Sequence, residues 1–116
     1  MQKFRKYIET ISSIDDNDWL IFSSRLKKRE FSKKSSFLSI GEIENSISFI
    51  EKGEVRLFIP KEDDEREITF GFSFQGEFVS AYDSFITQTP SLYQLETLTD
   101  TTLWSISYND LQEVYN

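Results

Sequence analysis

The chain of 116 residues sets 13 Lys and Arg against 20 Asp and Glu, for a net charge of −7, and contains neither His nor Cys. That length supports one core, and eleven Phe, five Tyr and two Trp supply it. The missing residue types exclude Ser-His-Asp and Cys-His catalytic sets, Cys/His zinc sites, His-ligated haem and disulfides, leaving only carboxylates to hold a metal.

The first element is a helix over residues 2 to 12, where Phe4, Tyr7, Ile8 and Ile11 fall at i, i+3, i+4 and i+7. Ser13 then opens Ser-Ile-Asp-Asp, a variant capping box, with Asp15, Asp16 and Asp18 at the positive end of a second helix. Trp19, Leu20, Phe22 and Leu26 form its apolar side, and Arg25, Lys27, Lys28 and Arg29 are expected to compensate the dipole at its C-terminus. With Lys33 and Lys34 nearby, these charges make a patch that is short for a nucleic-acid contact, and a solvated surface is the plainer reading.

After Glu30 the pattern changes to strands. Phe37-Leu-Ser-Ile, Ile47-Ser-Phe-Ile, Val55-Arg-Leu-Phe-Ile and Ile68 to Phe74 follow at short intervals, separated by Gly41-Glu, Lys52-Gly and an acidic run. Ile68, Phe70, Phe72 and Phe74 alternate with Thr69, Gly71, Ser73 and Gln75, so these rings are expected on a buried strand face. The run Glu62 to Glu65 reads as a solvated hairpin tip, since it lacks the spaced oxygens and turn glycine of a calcium loop. Leu92 to Leu98 and Thr101 to Ser107 are the last two strands, joined at Thr99-Asp100. Ser107-Tyr-Asn-Asp110 starts a final helix with Leu111, Val114 and Tyr115 on one stripe, and its shortness suggests a chain cut from something longer.

Charge is divided unevenly along this order. All basic residues lie between Lys3 and Arg66, whereas residues 67 to 116 hold no Lys or Arg and the acids Glu67, Glu77, Asp83, Glu96, Asp100, Asp110 and Glu113. A polyanion such as nucleic acid is bound through Lys and Arg, so this domain alone is a poor candidate for it. The start, MQKFRKYIETISS, has no apolar run of signal-peptide or membrane-spanning length, and a soluble cytoplasmic protein without a membrane partner is expected.

Phe31-Ser-Lys-Lys, Leu38-Ser-Ile-Gly41-Glu, Ile47-Ser-Phe-Ile-Glu-Lys-Gly53-Glu-Val-Arg-Leu, Arg66-Glu-Ile-Thr, Phe74-Gln-Gly76-Glu-Phe-Val and Leu103-Trp-Ser-Ile-Ser107 occur in an order that resembles the cyclic-nucleotide-binding domain. The resemblance runs from about Asp18 to Asn116. It implies a mainly β fold with flanking helices, a double-stranded β-helix or β-roll, used as the N-terminal effector domain of Crp/Fnr-family transcription regulators. Residues 1–116 are then a single domain, DNA is contacted only through a helix-turn-helix domain outside it, and the full-length protein is a homodimer joined by the helix that begins at Tyr108.

In nucleotide-binding members of that family a Gly-Glu pair holds the ribose and an Arg eleven residues later holds the cyclic phosphate. Here Ser80-Ala81 and Ser91-Leu92 stand at those positions, so the resemblance implies a cassette without its charged anchors. The candidate ligand residues are Phe78, Val79, Ser80, Ala81, Tyr82, Asp83, Ser91 and Leu92, and no cofactor, metal site or catalytic set is expected. Two readings of Phe78 to Pro90 stay open. One is a short helix and turn that fills the ligand space with Tyr82, Phe85 and Ile86; the other is a pocket for a neutral or cationic small molecule, anchored by Asp83 or Glu96. The expected function is a regulator's sensor that does not take cyclic AMP or cyclic GMP through the usual contacts. A ligand-free interaction scaffold is the alternative, and an enzyme is disfavoured.

Overall fold

The computed structural model describes residues 5–6, 15–60 and 67–115. The apolar face at Phe4, Tyr7, Ile8 and Ile11, the Ser13 cap and the acidic run from Glu62 to Glu65 lie outside them. In chain order the elements are helix α1 (Asp16–Ser23), strands β1 (Lys27–Phe31), β2 (Ser36–Leu38), β3 (Ser46–Lys52), β4 (Glu54–Ile59), β5 (Ile68–Phe74) and β6 (Phe78–Val79), helix α2 (Tyr82–Thr87), strands β7 (Gln94–Thr97) and β8 (Thr101–Ser107), and helix α3 (Tyr108–Tyr115). No helix among the described residues is long and apolar enough to cross a membrane.

The strands form two four-stranded sheets, ordered β1-β8-β3-β6 and β2-β7-β4-β5, in which every neighbouring pair is antiparallel. Ile50 of β3 and Leu103 of β8 face each other in register in the first sheet, as Val55 and Thr97 do between β4 and β7 in the second. Leu38, Ile50, Val55, Val79, Ala81, Leu95 and Leu103 close into one buried cluster drawn from both sheets. Alternate residues of a strand point to opposite faces, so the same strands carry a second apolar row. Phe49 and Ile106 are buried on it, and Phe49 meets Phe78 edge-on at 5.6 Å.

Three expectations need correction. The second helix stops at Ser23 instead of running through Arg29, because Lys27 to Phe31 pair residue by residue with Ser105 to Thr101. The ladder satisfies a backbone that a helix end would leave unpaired. Of the supposed dipole-compensating residues, Arg25 alone stays near the helix, where it bridges Asp110 and Glu113 of α3. The N-cap is Asp15, whose carboxylate accepts the Asp18 N–H at 2.7 Å.

The third correction concerns the Phe row of β5. Ile68, Phe70, Phe72 and Phe74 are each about half exposed, not buried. β5 is the edge of its sheet, and β6, the corresponding edge of the other sheet, is only two residues long. The register gives the reason: core Val55 pairs with Ser73 and Leu57 with Gly71, so those residues take the inward face, while Phe72 pairs with Arg56 and Phe74 with Glu54 on the face turned away from the core. They find partial partners instead: Phe72 stacks with Phe74, and Phe70 meets Tyr93 edge-on at 4.9 Å.

Gly53 joins β3 to β4 with φ of 110°, and a Cβ added there would lie 2.9 Å from Asp100 O and from Thr101 Cα. Gly41 has φ of 89° with open space around it. Both positions carry the strain of a positive φ, about 1–3 kcal/mol for a residue with a side chain. Gly53→Ala should therefore lower the urea midpoint more than Gly41→Ala does; equal losses would show that the approach of residues 100 and 101 is not a constraint.

Candidate functional site

Helix α2 and the turn after it form one wall of a cavity of about 380 Å³, and Ile59 and Phe70 of β4 and β5 form another. Asp83, Ser84, Ser91 and Tyr93 make its charged and polar side, and Leu92 lines it beside them. Among the described residues, Asp83 is the only carboxylate on the lining, and no Lys or Arg lines it. The sequence-derived residues Asp83, Ser91 and Leu92 are thus brought together. Phe78, Val79, Ser80 and Ala81 do not line the cavity: Val79 and Ala81 are in the core and the Ser80 hydroxyl donates to Ser46 O at 2.8 Å.

Helix α2 presents its residues differently from the filling arrangement considered from sequence. Phe85 is buried and packs edge-on at 5.5 Å against Tyr108, the first residue of α3. Tyr82 and Ile86 are exposed, because six residues make under two turns and only one side of them faces the roll. Gln88 ends the helix in the left-handed region, where its side-chain amide donates to Phe85 O at 2.7 Å and Glu44 O at 3.2 Å.

Two of the polar residues on the lining, Ser84 and Ser91, are already engaged within the chain. Ser91 N donates to Glu42 O at 2.8 Å, and the Ser91 hydroxyl donates to Tyr93 O at 2.7 Å. Ser84 Oγ accepts the Glu44 N–H at 2.9 Å while donating to Thr89 O. Burial raises the Tyr93 phenol above its ordinary range, the Asp83 charge adds to this, and the Tyr82 backbone N–H opposes it. The phenol therefore stays a neutral donor and acceptor at physiological pH. Glu96, the alternative anchor, is on no wall of this cavity; it accepts from Arg56 Nε at 2.8 Å in the β4–β7 pair. Arg56 also reaches Glu67 at 3.3 Å, so this cation is spent on two carboxylates.

One residue that matters here was invisible in sequence. Glu44 is 7% exposed, and its carboxylate accepts the Ser46 N–H at 3.1 Å and the Ala81 N–H at 3.3 Å. It ties the start of β3 to the segment entering α2. Burial raises its carboxyl above the ordinary value, against the lowering effect of the backbone N–H groups of Ala81, Ser46 and Asn45 and of the Arg29 charge. In the sequence it lies among Gly41, Glu42, Ile43 and Asn45, a composition that a solvated turn shares.

Comparison with known proteins gives a consistent picture. A family model described as cyclic nucleotide-binding domain matches residues 28–116. The CRP-like protein Clp of Xanthomonas campestris pv. campestris is 29% identical over 94 residues, which cover 81% of this chain and 40% of that protein. The chain therefore spans about two fifths of the length of the curated relatives it matches. A structure described as the c-di-GMP responsive global regulator CLP of Xanthomonas campestris superposes with a TM-score of 0.71 at 27% identity, covering 87% of this chain and 48% of that one. Thermus thermophilus catabolite activator protein gives a TM-score of 0.74 at 17% identity, covering 88% and 47%, a likeness of fold.

Glu44 sets a pH dependence whose sign is fixed by its raised pKa. The folded state binds this proton more tightly than the unfolded state does, so deprotonation costs stability as pH rises from the ordinary value of 4.5 through the raised one. Melting curves of the native chain and Glu44→Gln, taken between about pH 7 and pH 4.5, should show the native chain gaining stability relative to the variant on acidification. A difference that does not change with pH would remove Glu44 as the cause.

Proposed function

Because this chain belongs to the cyclic nucleotide-binding domain family, we propose that it is the effector domain of a Crp-like transcription regulator, with a cassette that has given up the recognition of a cyclic phosphate. The observation that carries this reading is the cavity beside α2, whose only charge among the described residues is the Asp83 carboxylate; the resemblance in sequence puts Ser91, which lines it, where the family has its phosphate-binding Arg. Truncating one partner of a buried charge-assisted contact costs about 2–5 kcal/mol. Micromolar affinity corresponds to about 8 kcal/mol, so losing the cation moves such a site to roughly the millimolar range or weaker. Backbone groups do not compensate, since Ser91 N and Ala81 N are held by Glu42 O and the Glu44 carboxylate.

A cavity with apolar walls, a neutral phenol and one carboxylate suits a neutral or cationic small molecule. Asp83 is then its charged anchor, with Ser91 and Leu92 beside it. Phe78, Val79, Ser80, Ala81 and Tyr82 shape the segment that carries α2 and do not touch the ligand. The route from cassette to output is short: Phe85 of α2 touches Tyr108, where α3 begins. In the full-length protein α3 leads to the dimer contact and to a DNA-binding domain, and residues 1–116 are the single sensing unit of a cytoplasmic regulator, not an enzyme. A ligand-free scaffold is the second reading, favoured by the Ser84 and Ser91 hydroxyls being satisfied within the chain.

Isothermal titration of the chain at near-physiological salt should show no saturable low-micromolar binding of cyclic AMP, cyclic GMP or cyclic di-GMP, the last included because one relative responds to it. Saturation by either cyclic mononucleotide in that range would overturn the proposal. The same chain should shift no duplex DNA in a mobility assay, and salt-sensitive, sequence-specific shifting would move the DNA-reading role into these residues.

A further inference from the structure

A second cavity, of about 470 Å³, opens at the end of the roll where β1, β3 and β8 meet the loop before β3. Among the described residues it shares no lining residue with the cassette cavity. Its floor follows from strand parity: the inward row that holds Ile50 and Leu103 in the core passes through Ser48 and Ser105, and Ser46, Ser105 and Ser107 of that row line the cavity. Ser48 and Ser105 share a hydrogen bond at 2.6 Å, and Ser107 Oγ accepts the Asp110 N–H at 3.1 Å, leaving its own hydrogen to donate.

The charges around this cavity are unequally committed. Its carboxylates have partners: Asp110 binds Arg25 at 3.3 Å, Glu42 accepts the Ser39 N–H at 2.6 Å, and Glu44 accepts two backbone N–H groups. Lys28 reaches Glu30 at 3.5 Å. Lys27 and Arg29 have no hydrogen bond or ion pair among the described residues, although Arg29 is half-buried. The Arg29 guanidinium lies 5.0 Å from the Phe31 ring centroid and 5.9 Å from that of Phe37. Two ring faces hold it while leaving the edge that carries its N–H groups unengaged. A planar, partly desolvated guanidinium with unused donors matches a carboxylate or phosphoryl group in a bidentate way.

We propose that this cavity binds a small organic anion through one terminal oxyanion, a carboxylate or a phosphoryl group, with Arg29 as its bidentate anchor and Lys27 and Ser107 as further donors. Burial lowers the Arg29 pKa, which marks the desolvation that an incoming anion would offset, and the nearby Glu44 charge is damped by its own backbone donors. The site is independent of the cassette reading, because among the described residues that cavity has no cation on its lining and this one is built around two.

The test is an amide NMR titration of the isotope-labelled chain with inorganic phosphate and, separately, with acetate, at ionic strength held constant with chloride. Saturating shifts should concentrate at residues 27–29, 46 and 105–107. Arg29→Gln should weaken binding at least about tenfold, equivalent to ~1.4 kcal/mol. Arg29→Lys, which keeps the charge and loses the fork, should weaken it by a smaller factor, and Lys52→Gln, remote from this cavity, should leave it unchanged. Saturation by phosphate alone marks a phosphoryl ligand, by acetate alone a carboxylate, and by both a general oxyanion site. Shifts that grow linearly without saturating, or that persist in Arg29→Lys at native strength, would overturn the proposal; the lysine variant decides if the glutamine variant does not fold.

Discussion

Ile50, Val55, Leu95 and Leu103 are wholly removed from solvent, and they come from the two inner strands of each sheet. Burying a side chain of this kind contributes about 1.5–3 kcal/mol, the largest favourable contribution per residue that a roll of this size has. The layer is short, however. Along β3 and β8 the same inward row turns to serine within two residues, so the sheets are sealed at their middle and polar at one end. The second cavity opens where this apolar layer stops.

Glu44 organises the boundary. Backbone N–H groups at a strand start and at the entry to a short helix lack ladder partners, and an acceptor that serves both spares the fold their desolvation cost. Its carboxylate fixes Ala81, its own N–H engages Ser84, and its carbonyl accepts from Gln88. Helix α2 has no side-chain cap of its own, so this neighbour supplies the restraint. The consequence for recognition is direct. The amides of Ala81 and Ser91 are engaged by the Glu44 carboxylate and Glu42 O in holding the cassette in place.

The strands of the roll were legible in sequence because their period of two is carried by strong residues. Val55 to Ile59, Ile68 to Phe74 and Thr101 to Ser107 fall where alternation places them, and the Crp/Fnr resemblance drawn from their glycine turns is borne out by the family match. Alternation identifies a strand without saying which face is covered. The β5 rings read as core because Phe usually is core, whereas the pairing with β4 gives the inward face to Gly71 and Ser73 and turns Phe72 and Phe74 to the face of Arg56. Lys27 to Arg29 read as a helix end because charge at a C-terminus is favourable, and long-range pairing with β8 overrode that local preference. In the cassette, Ser91 and Ala81 stand where the resemblance implies Arg and Glu, and that difference was readable in the sequence. The engagement of their backbone groups by Glu42 and Glu44 was not, since it depends on loops about forty residues away in sequence.

The edge position of β5 has a consequence for how copies of the molecule behave in solution. From Ile68 to Gly76 the chain has no charged residue, so the strand offers rings and open backbone without a local gatekeeper against edge-to-edge addition. What keeps copies apart is the charge of the whole, a net −7 that arises entirely from the half containing β5. Such repulsion acts over a Debye length, about 8–10 Å at physiological ionic strength and shorter as salt rises. Colloidal stability in this protein is therefore a long-range electrostatic property, tuned by the surrounding electrolyte and not by any residue on the strand it protects.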